Sequence, residues 1–150
     1  MEGLLAGISG KPIYVAGHSL GGAVAVVASA MIGRDEVAAC YTFGSPRVGN
    51  RTFDVYVKPP HYRIVNGWDV VPLVPFTLMR YNHGGDPRYI TRRSEDVARW
   101  NRPILRALFV NLVAAATLPF TRNLAGVRDH SIGLYVDLLY RITRARSSWR

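Results

Sequence analysis

The sequence predicts an α/β fold built on a mostly parallel β-sheet flanked by helices. An apolar run at 12–16 breaks into a glycine-rich turn and continues as a helix of small residues. A second run, 37–43, is apolar throughout, which is typical of a strand buried on both faces of a parallel sheet. A third strand is expected at 62–66 after a connecting stretch. Strands that alternate with helices or long connections indicate parallel pairing through crossovers.

The turn after the first strand carries the motif G-x-S-x-G at residues 17–21. Such a motif places its serine on a strained strand-to-helix corner, and its two glycines are expected to remove Cβ atoms that would clash with the turn. Ser19 Oγ should then face the substrate. The N–H groups at the start of the following helix, Leu20 first, would stabilise an oxyanion formed there. The motif therefore predicts Ser19 as a nucleophile.

Several further elements are predicted from turn and cap residues. In chain order they are a helix that ends at Gly33, a helical or irregular stretch at 50–57, a short strand at 88–91, and a helix from Ser94 that restarts at Pro103 with Asn101 as cap. Residues 103–120 are apolar on nearly every face, yet too short for a membrane span of about 20 residues. They predict either a buried packing helix or an element at a lipid interface.

The last helix is expected to begin at Asp129, with the aspartate as N-cap and His130 in the first turn, facing outward. A helical spacing of apolar residues supports this assignment. The predicted apolar stripe consists of Ile132, Tyr135, Val136, Leu139 and Ile142.

Length and composition limit the classes of protein. A chain of 150 residues with 49% hydrophobic residues is expected to form a single domain over 1–150. Cys40 lies in an apolar run and is expected to be a buried, inert thiol, and no cysteine or histidine spacing suggests a metal site. No cofactor is expected. The N-terminus lacks the pattern of a signal peptide, and the compartment is left open.

The formal charge of +9 belongs mostly to the C-terminal half of the chain. Arginines without aromatic stacking platforms or a nucleic-acid-binding motif do not predict a DNA or RNA partner. An anionic membrane or lipid surface is a better candidate, and a solvated basic face is the default alternative.

A serine nucleophile needs a base, and the base needs an acid that orients it. In α/β-hydrolases these residues follow in the order serine, acid, histidine. Asp69 comes just after the strand at 62–66, at the sheet edge where active-site groups gather. With Asp69 as the acid, the order excludes the two histidines ahead of it and leaves His83 and His130. His130 follows the last predicted strand, where the base of this fold normally lies, whereas a structural role is expected for His83.

Taken together, these motifs resemble the class 3 (fungal-type) lipases of the α/β-hydrolase fold. Four blocks match in order: 17–23 (GHSLGGA), 41–50 (YTFGSPRVGN), 62–66 with 69–72 (YRIVN, DVVP) and 129–130 (DH). The resemblance implies Ser19 as nucleophile, Asp69 as acid and His130 as base. A loop at 81–84 also resembles the family and supports a structural or site-lining role for His83.

The chain departs from the family pattern ahead of the nucleophile strand. Family members place several strands, a lid and a second oxyanion donor there, and only about eleven residues precede the strand here. A partial α/β-hydrolase domain is therefore expected, with the early strands and the second donor missing. An unpaired strand edge at 13–16 would invite self-association or pairing with another chain.

The predicted function is that of a serine carboxylic-ester hydrolase acting on lipid esters, like a triacylglycerol lipase, through an acyl-enzyme on Ser19. The alternative is a non-catalytic or weakly active lipase remnant that associates with lipid or with a partner chain. Acyl transfer to an acceptor other than water would use the same three residues.

Overall fold

The computed structural model describes residues 11–32, 36–91 and 125–147. The strands and helices of this part of the chain are β1 (Ile13–His18), α1 (Leu20–Ile32), β2 (Val37–Phe43), α2 (Arg51–Asp54), β3 (His61–Asn66), β4 (Asp86–Ile90), α3 (Ala125–Asp129) and α4 (Ile132–Ser147). Two 3₁₀ turns, Val71–Leu73 and Thr77–Met79, lie between β3 and β4. The helices expected between Ser94 and residue 120 fall outside the described residues.

The four strands form one parallel sheet in the order β1-β2-β3-β4. His18 at the end of β1 pairs with Phe43 at the end of β2, and Phe43 pairs in turn with Ile64 of β3. The carboxyl ends of these strands therefore meet along one edge of the sheet, where parallel sheets place their ligand-binding loops. The predicted α/β fold with a parallel sheet is confirmed.

The fourth strand begins two residues earlier than the sequence predicts, at Asp86 rather than Arg88. Pro87 argues against a strand because proline cannot donate a ladder hydrogen bond. In the structure β4 pairs only with β3 among the described strands, and an edge strand tolerates proline.

Helices cover both faces of the sheet. On one face α1 packs through Ala25 and Val26 against Cys40 of β2. Tyr41, the next residue along β2, packs on the opposite face with the cluster that α4 builds, as expected because successive side chains of a strand point to opposite faces. Cys40 is fully buried, and burial raises the pKa of its thiol, which favours the inert form.

The apolar face of α4 differs from the predicted stripe. Tyr135 and Ile142 are buried as expected, and Leu138 joins them in the core beneath Ile64. Ile132 and Val136 are instead more than half exposed. The side chains that α4 turns toward the sheet thus centre on Tyr135, Leu138 and Ile142, with Leu139 partly buried beside them as predicted.

Within the described residues β1 pairs with β2 on one side only. Tyr14 on this strand is largely exposed. The expectation that this edge pairs with another strand or chain stays a prediction.

Candidate active site

Ser19 occupies the turn between β1 and α1 in the conformation that the motif predicts. Its φ of 55° lies in the left-handed region, which residues other than glycine rarely adopt. Its N–H donates to the carbonyl of Phe43 at 3.0 Å, and its own carbonyl accepts from the N–H of Gly22 at 2.9 Å. These bonds hold the strained serine between the end of β2 and the first turn of α1.

The glycines around Ser19 differ in the space that is available for a side chain. A Cβ on Gly17 would lie 2.1 Å from the carbonyl oxygen of Gly21, so only glycine fits where the strand passes under the helix. A Cβ on Gly22 would lie 2.7 Å from the Cβ of Ser45. A Cβ on Gly21 would meet nothing within 4 Å among the described residues. The expectation that both motif glycines relieve clashes is therefore right for Gly17 and wrong for Gly21.

We expect Gly17→Ala to destabilise the protein by several kcal/mol, to the point of little soluble folded chain. The clash is with backbone atoms of α1, which cannot rotate away, so the helix would have to move off the sheet. Gly21→Ala is the matched control and should be neutral or slightly stabilising, by up to about 1 kcal/mol, because alanine favours helix. Urea unfolding followed by circular dichroism measures both, and equal stability of the two variants would contradict the packing argument.

Ser19, Asp69 and His130 come together at the carboxyl edge of the sheet. His130 Nε2 lies 2.8 Å from Ser19 Oγ, and His130 Nδ1 lies 3.1 and 3.0 Å from the two carboxylate oxygens of Asp69. The Asp69 side chain is fully buried and that of His130 is 20% exposed. Because a carboxylate only accepts, Nδ1 carries the proton, and Nε2 of the neutral ring can accept from the serine hydroxyl.

Asp69 receives two further hydrogen bonds. The hydroxyl of Tyr135 donates to Oδ2 at 2.7 Å, and the N–H of Val71 donates to Oδ1 at 2.9 Å. Burial, and then the negative charge of Asp69, raises the pKa of Tyr135, so this hydroxyl stays protonated and continues to donate. The same hydroxyl accepts from the N–H of Asn66 at 2.9 Å. This network orients the carboxylate toward His130.

From the sequence, Tyr135 is expected only as a member of an apolar stripe. A tyrosine on the buried face of a helix generally needs a partner for its hydroxyl, and this rule is the signal that could have identified it.

His18 also contacts the candidate base, although chain order excludes it as a base itself. Its ring stacks on that of His130 at 4.7 Å between centroids, and its Nε2–H donates to the backbone carbonyl of His130 at 2.8 Å. His18 directly precedes Ser19, so one turn supports both the candidate nucleophile and the candidate base. Sequence order alone gives no sign of this contact.

Gly44 lies against Asp69 and His130. Its φ is +58°, and a Cβ there would lie 2.5 Å from Asp69 Oδ2 and 3.1 Å from His130 Nδ1. A side chain at this position would displace the contact between acid and histidine.

His130 does not lie in the first turn of a helix, and its ring does not face outward. It occupies the break between α3 and α4, half-buried, with its ring toward Ser19. Asp129 is not the N-cap of the last helix but the final residue of α3. Its carboxylate accepts from the N–H of Trp68 at 2.9 Å, and its carbonyl accepts from Nδ2 of Asn66 at 2.9 Å.

Asp129 thus joins the break to the loop that follows β3. Gly67 in that loop has a φ of +45°, and a Cβ there would lie 2.3 Å from the Asp129 carboxylate. Asp129 is the last residue of α3, and the free N–H groups of a helix lie at its other end. Its carboxylate therefore accepts from a distant part of the chain instead of capping a helix.

Leu20 is the first residue of α1, so its N–H belongs to the N–H groups at the helix N-terminus that have no partner within the helix. The Leu20 side chain itself is 72% exposed. The expectation that a second oxyanion donor is missing ahead of β1 stays a prediction, because residues 1–10 lie outside the described residues.

His83 makes a different contact. Its Nε2–H donates to the carbonyl of Pro72 at 2.6 Å, in agreement with the structural role expected for it. Burial, and then the charge of Arg63, lowers its pKa to about 3. Burial and the same arginine lower the pKa of His61 to about 4.

The lowered pKa values of these two histidines predict acid sensitivity. Each binds a proton in the unfolded chain below about pH 6.5 but stays neutral in the folded chain down to about pH 4 or 3, so the unfolded state binds more protons. The contribution of these histidines to the free energy of unfolding should be complete above about pH 7 and be lost as the pH falls from about 6.5 to about 4 for His61 and to about 3 for His83. Urea unfolding at several pH values measures this, and His83→Gln should flatten the slope. An unchanged slope in that variant would contradict the assignment.

In residues 11–32, 36–91 and 125–147, no group of histidine, cysteine, aspartate and glutamate side chains could hold a metal ion. The helices of the same three ranges include none with the length and apolar character that a membrane crossing needs.

Part of this chain resembles known proteins. Residues 2–79, just over half of the chain, match the family model described as lipase (class 3). The toxin TseL of Vibrio cholerae is 47% identical in an alignment of 74 residues that covers 46% of this chain and 11% of that protein. The secreted mono- and diacylglycerol lipase 1 of Fusarium solani is 47% identical over 73 residues, 46% of this chain and 22% of its own.

The fold is shared with solved lipases. The crystal structure of the lipase from Rhizopus microsporus var. chinensis superimposes with a TM-score of 0.58 at 34% identity, over 64% of this chain and 37% of that one. The chain therefore spans less than a quarter of the length of these two curated relatives and about a third of the solved lipase. The described sheet and helices are part of an α/β-hydrolase domain. The resemblance seen in the sequence is confirmed, and the chain belongs to the class 3 lipase family.

Proposed function

We propose that this chain is a serine carboxylic-ester hydrolase that acts on lipid esters through an acyl-enzyme on Ser19. The strongest support is the 2.8 Å contact between His130 Nε2 and Ser19 Oγ, in a ring whose other nitrogen is bound to a buried carboxylate. This is the arrangement that nucleophilic catalysis by serine requires.

The first half of the reaction forms the acyl-enzyme. Ser19 Oγ attacks the ester carbonyl carbon while its proton passes to His130 Nε2. Asp69 stabilises the resulting imidazolium through Nδ1–H. The carbonyl oxygen becomes an oxyanion beside the N–H of Leu20 and the positive end of α1. His130 then gives its proton to the leaving alcohol oxygen as the carbon–oxygen bond of the ester breaks.

The second half releases the acid. Water takes the place of the alcohol, gives a proton to His130 Nε2 and attacks the acyl carbon. Collapse of this second tetrahedral intermediate breaks the bond to Ser19 Oγ, which recovers its proton from His130. The carboxylic acid leaves, and the three residues return to their starting protonation states.

Lipid esters are the substrate class best supported. The relative from Fusarium solani carries the name of a mono- and diacylglycerol lipase. Leu20, next to the nucleophile, and Trp68, next to the acid, both have side chains more than half exposed. Exposed apolar side chains beside the reacting serine favour a hydrophobic acyl group over a polar ester.

Labelling of the full chain with a fluorescent alkyl phosphonate, followed by peptide mass spectrometry, tests the proposal. We expect one adduct, on the peptide that contains Ser19, and none on heat-unfolded chain, because reactivity depends on the folded contact with His130. A folded chain that binds lipid vesicles but takes no adduct would instead support the alternative, a lipase remnant that associates with lipid without catalysis.

A further inference from the structure

An exposed apolar loop follows the candidate acid. The loop, residues 74–80, contains the 3₁₀ turn Thr77–Met79, and Leu78 at its tip is 94% exposed. Met79 is 62% exposed, and Val74 and Phe76 each expose about two fifths of their surface. Single exposed apolar residues are ordinary, but a cluster of four within six residues marks a surface that contacts an apolar partner.

The loop holds this shape through several hydrogen bonds. The Arg47 guanidinium donates to the carbonyls of Leu73 and Pro75, and the Arg47 N–H donates to the carbonyl of Val74 at 2.8 Å. Within the loop the N–H of Met79 donates to Phe76 at 2.9 Å. These hydrogen bonds hold the backbone that carries the exposed apolar side chains.

A basic groove of about 340 Å³ lies beside the loop, a volume within the range of about 300–1,000 Å³ usual for small-molecule sites. Thr77 and Arg80 of the loop line one side, and Arg51 and Thr52 of α2 line the other. No aspartate or glutamate of the described residues lines it. Neither guanidinium forms an ion pair within the part of the chain that the structure describes. The groove therefore favours an anion that can accept from both arginines and the threonine hydroxyls.

The loop and the groove lie at the same edge of the sheet as Ser19. The turn Val71–Leu73 joins the loop to Asp69, whose Oδ1 accepts from the N–H of Val71. The α2 residues of the groove follow the carboxyl end of β2, and the isolated bridge between Gly49 and Asn82 ties that segment to the end of the loop. The apolar loop and the anion site are thus both connected to segments that leave the carboxyl edge of the sheet, where Ser19 lies.

We propose that the 74–80 loop inserts Leu78 and Met79 into the surface of an anionic phospholipid membrane, while the groove between Arg51 and Arg80 binds a phosphate headgroup. Charge complementarity and the adjoining apolar tip favour a lipid surface over a protein partner, because a phospholipid offers both a phosphate and acyl chains. The proposal rests on the proposed function in that it names the surface from which a lipid ester would reach Ser19.

Flotation of the full chain with phosphatidylcholine vesicles, with and without phosphatidylglycerol, tests this proposal. Arg51→Gln with Arg80→Gln should lower binding to the phosphatidylglycerol vesicles by roughly 10- to 30-fold and change binding to the neutral vesicles little. Leu78→Ser should lower binding to both kinds of vesicle by about tenfold or more.

Matched control variants lie on α4, away from the loop. Arg141→Gln with Arg144→Gln removes the same charge, and Val136→Ser removes another exposed apolar side chain. Both should bind like the unmodified chain. Equal losses in loop and control variants, or no binding of the unmodified chain to anionic vesicles, would overturn the proposal.

Flotation in a Ser19→Ala background separates this proposal from the proposed function. If vesicle binding depends on the loop but the phosphonate does not label the unmodified chain, the proposed hydrolase function is wrong and the membrane proposal stands. Normal labelling with flotation that is insensitive to the loop variants would count against the membrane surface alone.

Discussion

Replacing Ser19 with alanine is expected to abolish phosphonate labelling and ester hydrolysis together. Among the described residues no other hydroxyl hydrogen-bonds to His130, so no neighbouring group replaces the lost nucleophile. When such a serine is removed, turnover falls by on the order of 10⁶-fold. A fluorogenic medium-chain ester and the phosphonate provide independent measurements on the same preparation.

Ser45→Ala is the matched control. Ser45 is a buried serine at the carboxyl end of the neighbouring strand, and its hydroxyl donates to the carbonyl of Pro46 rather than to His130. This variant should retain labelling. Undiminished labelling of Ser19→Ala would end the hydrolase proposal, since the reactive serine would then lie elsewhere.

His130→Ala should lower kcat by about 10⁴- to 10⁶-fold while leaving KM for a soluble ester within a few-fold of its original value. The serine hydroxyl loses the group that removes its proton, whereas no contact from His130 is expected to bind the acyl chain. Initial rates over a range of substrate concentrations separate the two parameters.

His83→Ala is the comparison for this variant. It removes a histidine whose ring donates a hydrogen bond to the Pro72 carbonyl, so the loss of activity should be at most about tenfold and should follow the loss of stability. If His83→Ala were the more severe variant, the wrong histidine would have been assigned as the base.

Features set by short segments of sequence could be predicted. The bounds of β2 match the apolar run at 37–43, because burial on both faces requires an uninterrupted run of apolar residues. The turn at Ser19 follows from its motif, and the order of chemical roles along the chain points to Asp69 and His130 before any contact is known.

Features that depend on tertiary contacts could not be predicted. The break between α3 and α4 has no proline or glycine at His130, and it is held by contacts of Asp129 with Asn66 and Trp68, far away in the sequence. The role of Tyr135 likewise depends on the position of Asp69 across the sheet. Sequence spacing describes one helix at a time and carries no information on these pairings.

The close fit of Gly67 against Asp129 has a consequence for natural variation and for mutational scanning. Neither residue touches the reacting atoms, yet the aspartate fixes the backbone that carries the histidine, and a side chain at Gly67 would push it aside. In a screen that selects for enzyme activity, both positions should tolerate as few replacements as the nucleophile, whereas a screen for soluble protein should accept more of them. Comparing the two screens would identify positions that do not touch the reacting atoms but are needed to keep the reacting residues aligned.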